Sequence, residues 1–218
     1  MIIAIDGPAG SGKSTTSRLV AKKLGISYLD TGSMYRAVTL HFIVNDYSID
    51  MDNVEDIINS LTIDISDSTD EEFVLVNGEN VTDRLRDNQI SSMVSTISSN
   101  KIIRKKMVMI QRNISRNKSI VVDGRDIGTV VFPDADYKFY LTASIKERAH
   151  RRYQEQDRDG GNISLNLIEE EIKERDRLDK SRKNSPLKKA MDSIIIDTTR
   201  LNIDEQVNII LETIKNNS

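Results

Sequence analysis

The chain has 218 residues, 38% hydrophobic and 30% charged, with a formal net charge of −3; this suits one domain with a small insert and argues against a general nucleic-acid binder. It has no cysteine and only two histidines, His41 and His150, which excludes disulfides, thiol nucleophiles, thiolate metal sites and a histidine metal cage. Met1 to Ile5 is apolar, but Asp6 ends the run before a signal peptide or membrane span can form, so a cytoplasmic protein, monomeric by default, is expected.

Ile2-Ile3-Ala4-Ile5 reads as a strand buried on both faces, stopped by Asp6. Gly7-Pro8-Ala9-Gly10-Ser11-Gly12-Lys13-Ser14 then fits G-x-x-x-x-G-K-[ST] at each fixed position, and Leu19, Val20 and Leu24 continue it as a helix. The glycines let backbone N–H groups close around phosphate oxygens, and the helix N-terminus adds a favourable field. Lys13 is placed to reach the β- and γ-phosphates of a nucleotide, and Ser14 to ligate Mg²⁺. A glycine-rich turn that matches by chance is the bland alternative, and the strand–loop–helix context disfavours it. Nucleoside triphosphate binding follows; a particular reaction does not.

Tyr28-Leu29 before Asp30 marks a second strand, with Arg36 soon after its mouth. Residues 61–99 break the strand–helix rhythm. Two strand-like runs there flank Asn77-Gly78, a hairpin signal, and a helix is expected to begin near Asp87. Asn117-Lys118-Ser119-Ile120 lacks the aspartate of a guanine-reading Asn-Lys-x-Asp, so a GTPase is unsupported. Ile120-Val121-Val122 is a third strand ending at Asp123, and Arg125 follows it. Further strands are read at Tyr137 to Leu141 and at Ile194-Ile195-Ile196, and a last helix through Val207, Ile210, Leu211 and Ile214. The alternation implies an α/β fold with helices on both faces of a parallel sheet.

Arginine placement points to an anionic phosphoryl acceptor, since phosphoryl transfer brings negative groups together. Arg36 and Arg125 sit beyond strand ends, where open parallel sheets bind ligands; each alone could equally be a surface salt bridge. After Ser164 the apolar stripe Ile168–Ile172 continues along the same helix face as Arg175, Asp179 and Arg182, so a core-facing side turns charged. Either the helix runs out into solvent or it lines a polar cleft. Arg148, Arg151, Arg152 and Arg158 lead into the polar stretch 154–162, which carries Gly160-Gly161 and is expected to be a mobile loop. Arg151 with Glu147 suits an ordinary i,i+4 pair; arginines in a lid closing over ATP are the sharper alternative.

With these residues in place, the sequence resembles bacterial cytidylate kinases. The resemblance spans nearly the whole chain. It is carried by the loop Gly7 to Thr15, by Asp30-Thr31-Gly32-Ser33-Met34-Tyr35-Arg36, and by Gly124 to Asp134 with Arg125-Asp126-Ile127-Gly128 at its start. Glu147 to Arg152, Ile172 to Asp176 and Ser185-Pro186-Leu187 extend it. Ser33 and Ser193 stand where alanine is frequent.

The resemblance implies one P-loop kinase domain over residues 1–218. Its five-stranded parallel sheet is flanked by helices, with a small antiparallel insert at about 61–99 in the monophosphate-binding region and a short lid at about 153–163. It implies reversible transfer from ATP, with Mg²⁺, to CMP or dCMP. Gly7, Pro8, Ala9, Gly10, Ser11, Gly12, Lys13, Ser14 and Thr15 are then expected to hold ATP. Thr31, Tyr35, Arg36, Arg125 and Arg175 are expected on the acceptor's phosphate and sugar, Asp179 and Arg182 beside them, and Ser95, Arg104 and Asp126 on cytosine. Lys13, Arg125, Arg148, Arg152 and Arg175 are the expected catalytic cations. On the base, Asp126 can accept from the C4 amino group while Arg104 donates to N3 and O2; uracil reverses C4 and N3. Two rivals stay open on the residues alone: a kinase for another small anionic metabolite, and a non-catalytic ATP-binding module.

Overall fold

The computed structural model describes residues 1–70, 73–158 and 164–217, with backbone alone for 156–158. In chain order, β1 (Ile2–Asp6) leads to α1 (Lys13–Leu24), β2 (Ser27–Asp30) and α2 (Thr31–Val44), and α3 (Val54–Ser60) precedes β3 (Ile63–Ile65), β4 (Val74–Val76) and β5 (Glu79–Asn80). A 3-10 turn (Thr82–Arg86), α4 (Asn88–Ile97) and α5 (Lys101–Ile114) bring the chain to β6 (Ile120–Gly124), a π-helical turn (Ile127–Val131) and β7 (Tyr137–Thr142). Then come α6 (Ile145–Arg158), α7 (Leu165–Ser181), β8 (Ile194–Asp197) and α8 (Ile203–Asn216).

The five apolar runs pair in parallel in the order β2-β6-β1-β7-β8. Ile3 and Ile5 of β1, Val121 of β6, and Phe139 and Leu141 of β7 all turn to one face, where they pack with Val20, Ala21, Val207 and Ile210 of α1 and α8. Ala4, Leu29, Ile120 and Val122 turn to the other, against Met34, Phe42, Ile103 and Met107. This is the period-2 alternation of a strand covered on both sides. The chain passes from β6 over β1 to β7. That reversal opens a crevice beyond the carboxyl ends of the central strands.

Local chemistry sets the helix ends. Gly12 caps α1 at φ 87°, a conformation costly for other residues. The Asp30 carboxylate caps α2 by accepting from the Ser33 N–H at 3.2 Å. Asn202 and Glu205 form a reciprocal capping box at the start of α8. The antiparallel insert has the order β3-β4-β5. Its Asn77-Gly78 turn holds both residues at positive φ, 50° and 84°, as a tight hairpin connection requires. The insert has no separate core: Ile63, Val74, Val76 and Leu85 belong to the same apolar cluster as Leu29 and Phe42. It also touches the sheet edge, where the Tyr28 N–H donates to the Asp67 carbonyl at 2.9 Å.

One boundary differs from expectation. Of the polar stretch 154–162, residues 154–158 continue α6 rather than forming a loop; they contain no glycine or proline, and glutamine, glutamate and arginine extend a helix at little cost. The remaining part of the expected lid, residues 159–163 with Gly160-Gly161, lies outside the described residues.

The capping box gives a direct test of how α8 is held. Asn202→Ala should lower unfolding stability by about 1 kcal/mol, read as a lower urea midpoint at unchanged slope.

Candidate active site

The loop from Gly7 to Gly12 leaves the centre of the sheet at the end of β1 and feeds α1, which begins at Lys13. Lys13 is buried and its Nζ lies 3.4 Å from the Pro8 carbonyl. Ser14 donates its hydroxyl to Asp123 Oδ2 at 2.7 Å, and the Tyr28 hydroxyl donates to Oδ1 at 3.1 Å. Asp123 ends β6, the strand next to β1. Burial pulls the Lys13 ammonium well down and pushes the Asp123 carboxyl well up; Arg125 adds to the first shift and Asp30 to the second.

Beside the loop lies a cleft of about 670 Å³ including its open mouth, walled by the ends of β2 and β6, the first turn of α2, α4, α5 and α7. Thr31, Tyr35, Arg36, Ser95, Arg104, Arg125, Asp126, Arg175, Asp179 and Arg182 all line it, together with Lys13 and Ser14. All ten residues expected at the acceptor are thus gathered around one volume that reaches the phosphate loop. Gly7 to Gly12 form the loop itself, and Thr15 is exposed on the first turn of α1.

The lining holds six cations, Lys13, Arg36, Arg104, Arg125, Arg175 and Arg182, against four carboxylates, Asp30, Asp123, Asp126 and Asp179. Asp179 is the main spacer. It accepts from Arg125 Nε at 2.9 Å, from Arg182 at 2.5 Å and from the Ser95 hydroxyl at 3.3 Å. Burial alone pushes its carboxyl up, but Arg125, Arg182 and Arg175 outweigh that and hold it below the usual range. Arg104 pairs with Asp126 and stacks 5.3 Å over the Tyr35 ring. Arg175 is pulled down to about 9, first by burial and then by the charges of Arg125 and Arg36. The Nε groups of Arg104, Arg175 and Arg182 are buried without a hydrogen-bond partner, so donors remain for a ligand.

The Arg175–Asp179–Arg182 face continues that of Ile168 and Ile172, which pack with Ala149, so α7 runs from an apolar contact into the cleft. Arg36 donates to the Leu85 carbonyl and the Ser91 hydroxyl, both at 3.2 Å, joining α2 to the insert side.

Two of the expected catalytic cations do not line the cleft. Arg148 is buried in a bidentate pair with Asp176, at 3.0 and 2.7 Å, and also donates to the carbonyls of Ala143 and Ala9, both at 3.1 Å. It joins α6, α7 and the phosphate loop. Arg152 lies 3.7 Å from Glu171, near enough to the cleft for its charge to act on Arg175 and Arg36. Arg151 pairs with Glu147 at 2.8 Å, as the i,i+4 spacing suggests.

Sequence reasoning missed Asp30, Gly32, Val94, Ser98, Asp123 and Gly124 in the cleft wall. Asp30 and Asp123 had a signal: each ends a short apolar run, Asp123 on the strand beside β1 and Asp30 on the next strand out. Ser98 accepts from Arg182 at 2.9 Å, yet nothing separates it in sequence from the serines around it.

The family model described as "Cytidylate kinase" matches residues 3–216. A cytidylate kinase of Fusobacterium nucleatum subsp. nucleatum is 44% identical, covering 99% of this chain and 97% of its own length. One of Caldanaerobacter subterraneus subsp. tengcongensis is 46% identical, covering 99% and 95%. Among solved structures, a shikimate kinase of Acinetobacter baumannii in complex with shikimate superposes with a TM-score of 0.50 at 16% identity, covering 100% of this chain and 94% of its own, a likeness of fold.

The Arg148–Asp176 pair makes a quantitative claim. Asp176→Ala leaves a buried guanidinium without its carboxylate and should cost about 3–5 kcal/mol, measured by denaturant unfolding; a loss below about 1 kcal/mol, the scale of an exposed pair, would contradict the pair's buried character.

Proposed function

The chain belongs to the cytidylate kinase family and is a nucleoside monophosphate kinase, and from that premise we propose that it reversibly transfers the γ-phosphoryl group of ATP to CMP or dCMP, giving ADP and CDP or dCDP. The observation that carries the reading is the cleft itself. Six cations against four carboxylates leave an excess of two positive charges, matching a phosphate dianion next to the loop that cradles the donor. Deeper in the same lining, the Arg104–Asp126 pair offers donors and an acceptor side by side. Asp126 accepts from the C4 amino group of cytosine, and Arg104 donates to N3 and O2; uracil would face both with the wrong group. A buried polar site left mispaired in this way discriminates by about 10⁴ when dry and by less when wet.

The acceptor is a phosphate oxygen that is ionised at neutral pH, so no side chain has to take a proton from it. Lys13, Arg125 and Arg175 neutralise the approaching phosphates, and Asp179 fixes Arg125 at 2.9 Å so that its charge is aimed before substrate arrives. Arg152, close enough to act on Arg175, adds its charge when the arm formed by α6 and α7 closes. Arg148 serves by holding that arm to the phosphate loop.

Mg²⁺ fits the oxygens present. The Ser14 hydroxyl and Asp123 carboxylate meet at 2.7 Å beside the loop, and burial of Asp123 raises its pKa, a shift that a cation at those oxygens would reverse. Among the described residues no group of three or more His, Asp or Glu could hold a metal, which suits an ion bound mainly through phosphates and water. When bound, Mg²⁺ supplies charge to the β- and γ-phosphate oxygens. Among the described residues no helix is long and apolar enough to cross a membrane.

ADP formation from Mg·ATP with CMP, dCMP, UMP, AMP, GMP and shikimate offered separately tests the assignment. Strong turnover with CMP and dCMP, weak with UMP and near zero with the others is expected; turnover with none of the nucleotides refutes it. Asp126→Ala should lose the preference for CMP over UMP while retaining turnover. Equal loss for every acceptor would instead make Asp126 part of the chemistry.

A further inference from the structure

Asp6 lines neither the cleft nor the phosphate loop, yet it is the buried last residue of the central strand, 4% exposed. Its two oxygens are divided between two peptide groups: Oδ1 accepts from the Ile127 N–H and Oδ2 from the Gly128 N–H, each at 2.8 Å. Those are the first N–H groups of the π-helical turn, which the turn's own ladder cannot satisfy. The ladder is anchored at the same place, since the N–H groups of Val130 and Val131 both donate to the Asp126 carbonyl, at 2.8 and 3.2 Å. The turn follows Arg125 and Asp126 immediately, so a carboxylate on β1 fixes a segment whose entry holds two cleft residues. One residue further along β1's own exit, the Gly7 N–H donates to the Gly124 carbonyl at 3.3 Å.

We propose that Asp6 is a positioning residue for the acceptor: its carboxylate pins the Ile127–Gly128 peptides and thereby sets Arg125 and Asp126 in the cleft. The inference rests on the kinase reading above for what those two residues contact. A neutral side chain could not reproduce the anchor, because an asparagine at position 6 would accept from one N–H and turn its own NH₂ toward the other.

The surroundings make a purely structural role a poor account of the charge. Burial pushes the Asp6 carboxyl up to about 6, the two N–H bonds pull it back, Asp126 adds to the rise and Arg125 opposes it. On the neighbouring strand Tyr140 stands in register with Asp6. The Lys138 stem lies against Gly128, but its ammonium is committed to Asp192 at 2.6 Å. The ionised form is therefore kept buried against a desolvation cost, and what it supplies in return is the geometry of the turn.

Asp6→Asn separates the possibilities. Moving Arg125 and Asp126 should raise KM for CMP about tenfold, the scale of one lost charge-assisted hydrogen bond, and narrow the CMP-to-UMP preference. KM for ATP should stay within about twofold. An equal rise in both KM values, or no change in either, overturns the proposal.

A second readout needs no substrate, and its wild-type arm needs no variant. In amide NMR spectra of the wild-type protein, the Ile127 and Gly128 N–H signals should titrate together near pH 6 as Asp6 ionises, and in Asp6→Asn they should not. Flat signals over the whole range from about pH 3 to 7.5 in the wild type, or movement of only one of the two, overturn the anchor. If the wild type does not phosphorylate CMP, the kinase reading fails while the amide titration still decides the anchor.

Discussion

Everything in this molecule is arranged around holding six cations close together in a cleft with only four carboxylates among them. In water, unit charges a few ångströms apart repel by about 1 kcal/mol; inside protein the repulsion is several times larger. Burial first, and then the charges of neighbouring arginines, pull Arg175 down to about 9 and shift Lys13 in the same direction. The cluster holds because carboxylates are interleaved as spacers: Asp179 between Arg125 and Arg182, Asp126 against Arg104, Asp123 near Lys13. Each carboxylate also fixes a direction, so the cations point into a common volume instead of fanning out into solvent.

The fold explains how so much charge can be gathered. A parallel sheet ends its central strands at one edge, and the passage from β6 over β1 to β7 opens the crevice there. Helices α2, α4, α5 and α7 come from different parts of the chain and meet the crevice on one side. The other sides of α2, α4 and α5 are buried in a large apolar cluster that runs from the sheet into the insert, while Ile168 and Ile172 of α7 pack with Ala149 of α6. The favourable transfer of that apolar surface offsets the cost of the charged cleft. Since the insert shares this core, and Arg36 reaches across to Leu85 and Ser91, any displacement of the insert also shifts an arginine of the cleft. On the opposite flank, Arg148 with Asp176 links α7 to the carbonyl of Ala9. The phosphate loop and the acceptor cleft are thus mechanically joined through a buried ion pair.

Much of this was legible in the sequence wherever one residue type has one physical use. Short apolar runs ending in aspartate read as strands, although the last of them, β8, leaves Ile194 and Ile195 exposed at the sheet edge, and Asn77-Gly78 marked the hairpin. The turn from Ile172 to Arg175 along one helix face marked the point where α7 leaves the core. The residues proposed to read the base were legible only through family resemblance, because Ser95, Arg104 and Asp126 come from three elements and no local pattern unites them. Two kinds of feature escaped. The end of α6 was misplaced because polarity and a nearby diglycine suggested a loop, whereas helix propensity carried residues 154–158 onward. The position of Arg148 was hidden because its partner, Asp176, is 28 residues away on another helix. An arginine buried as a strut and one facing a phosphate are the same letter; only packing tells them apart.

Burial of charge is what sorts them. Among the described residues the buried acidic side chains are Asp6, Asp123, Asp126, Asp176 and Asp179, and the buried cations are Lys13, Arg104 and Arg148. Three of the acids and two of the cations line the cleft. Asp6, Asp176 and Arg148 do not, but Asp6 bonds to the turn that follows Asp126, Arg148 bonds to the phosphate loop, and Asp176, next to Arg175 on α7, holds Arg148. Away from this region the long charged residues stay at the surface, and their ion pairs, such as Lys22–Asp70 and Arg177–Glu174, are exposed on both sides and contribute little. A structural ion pair could sit in any part of a core, so stability alone gives no reason for this clustering. The requirement that does is an acceptor and a donor, both polyanions, brought together at one place on the molecule. Desolvated charge is concentrated where it can act on them, and the buried residues just behind that place serve to keep it aimed.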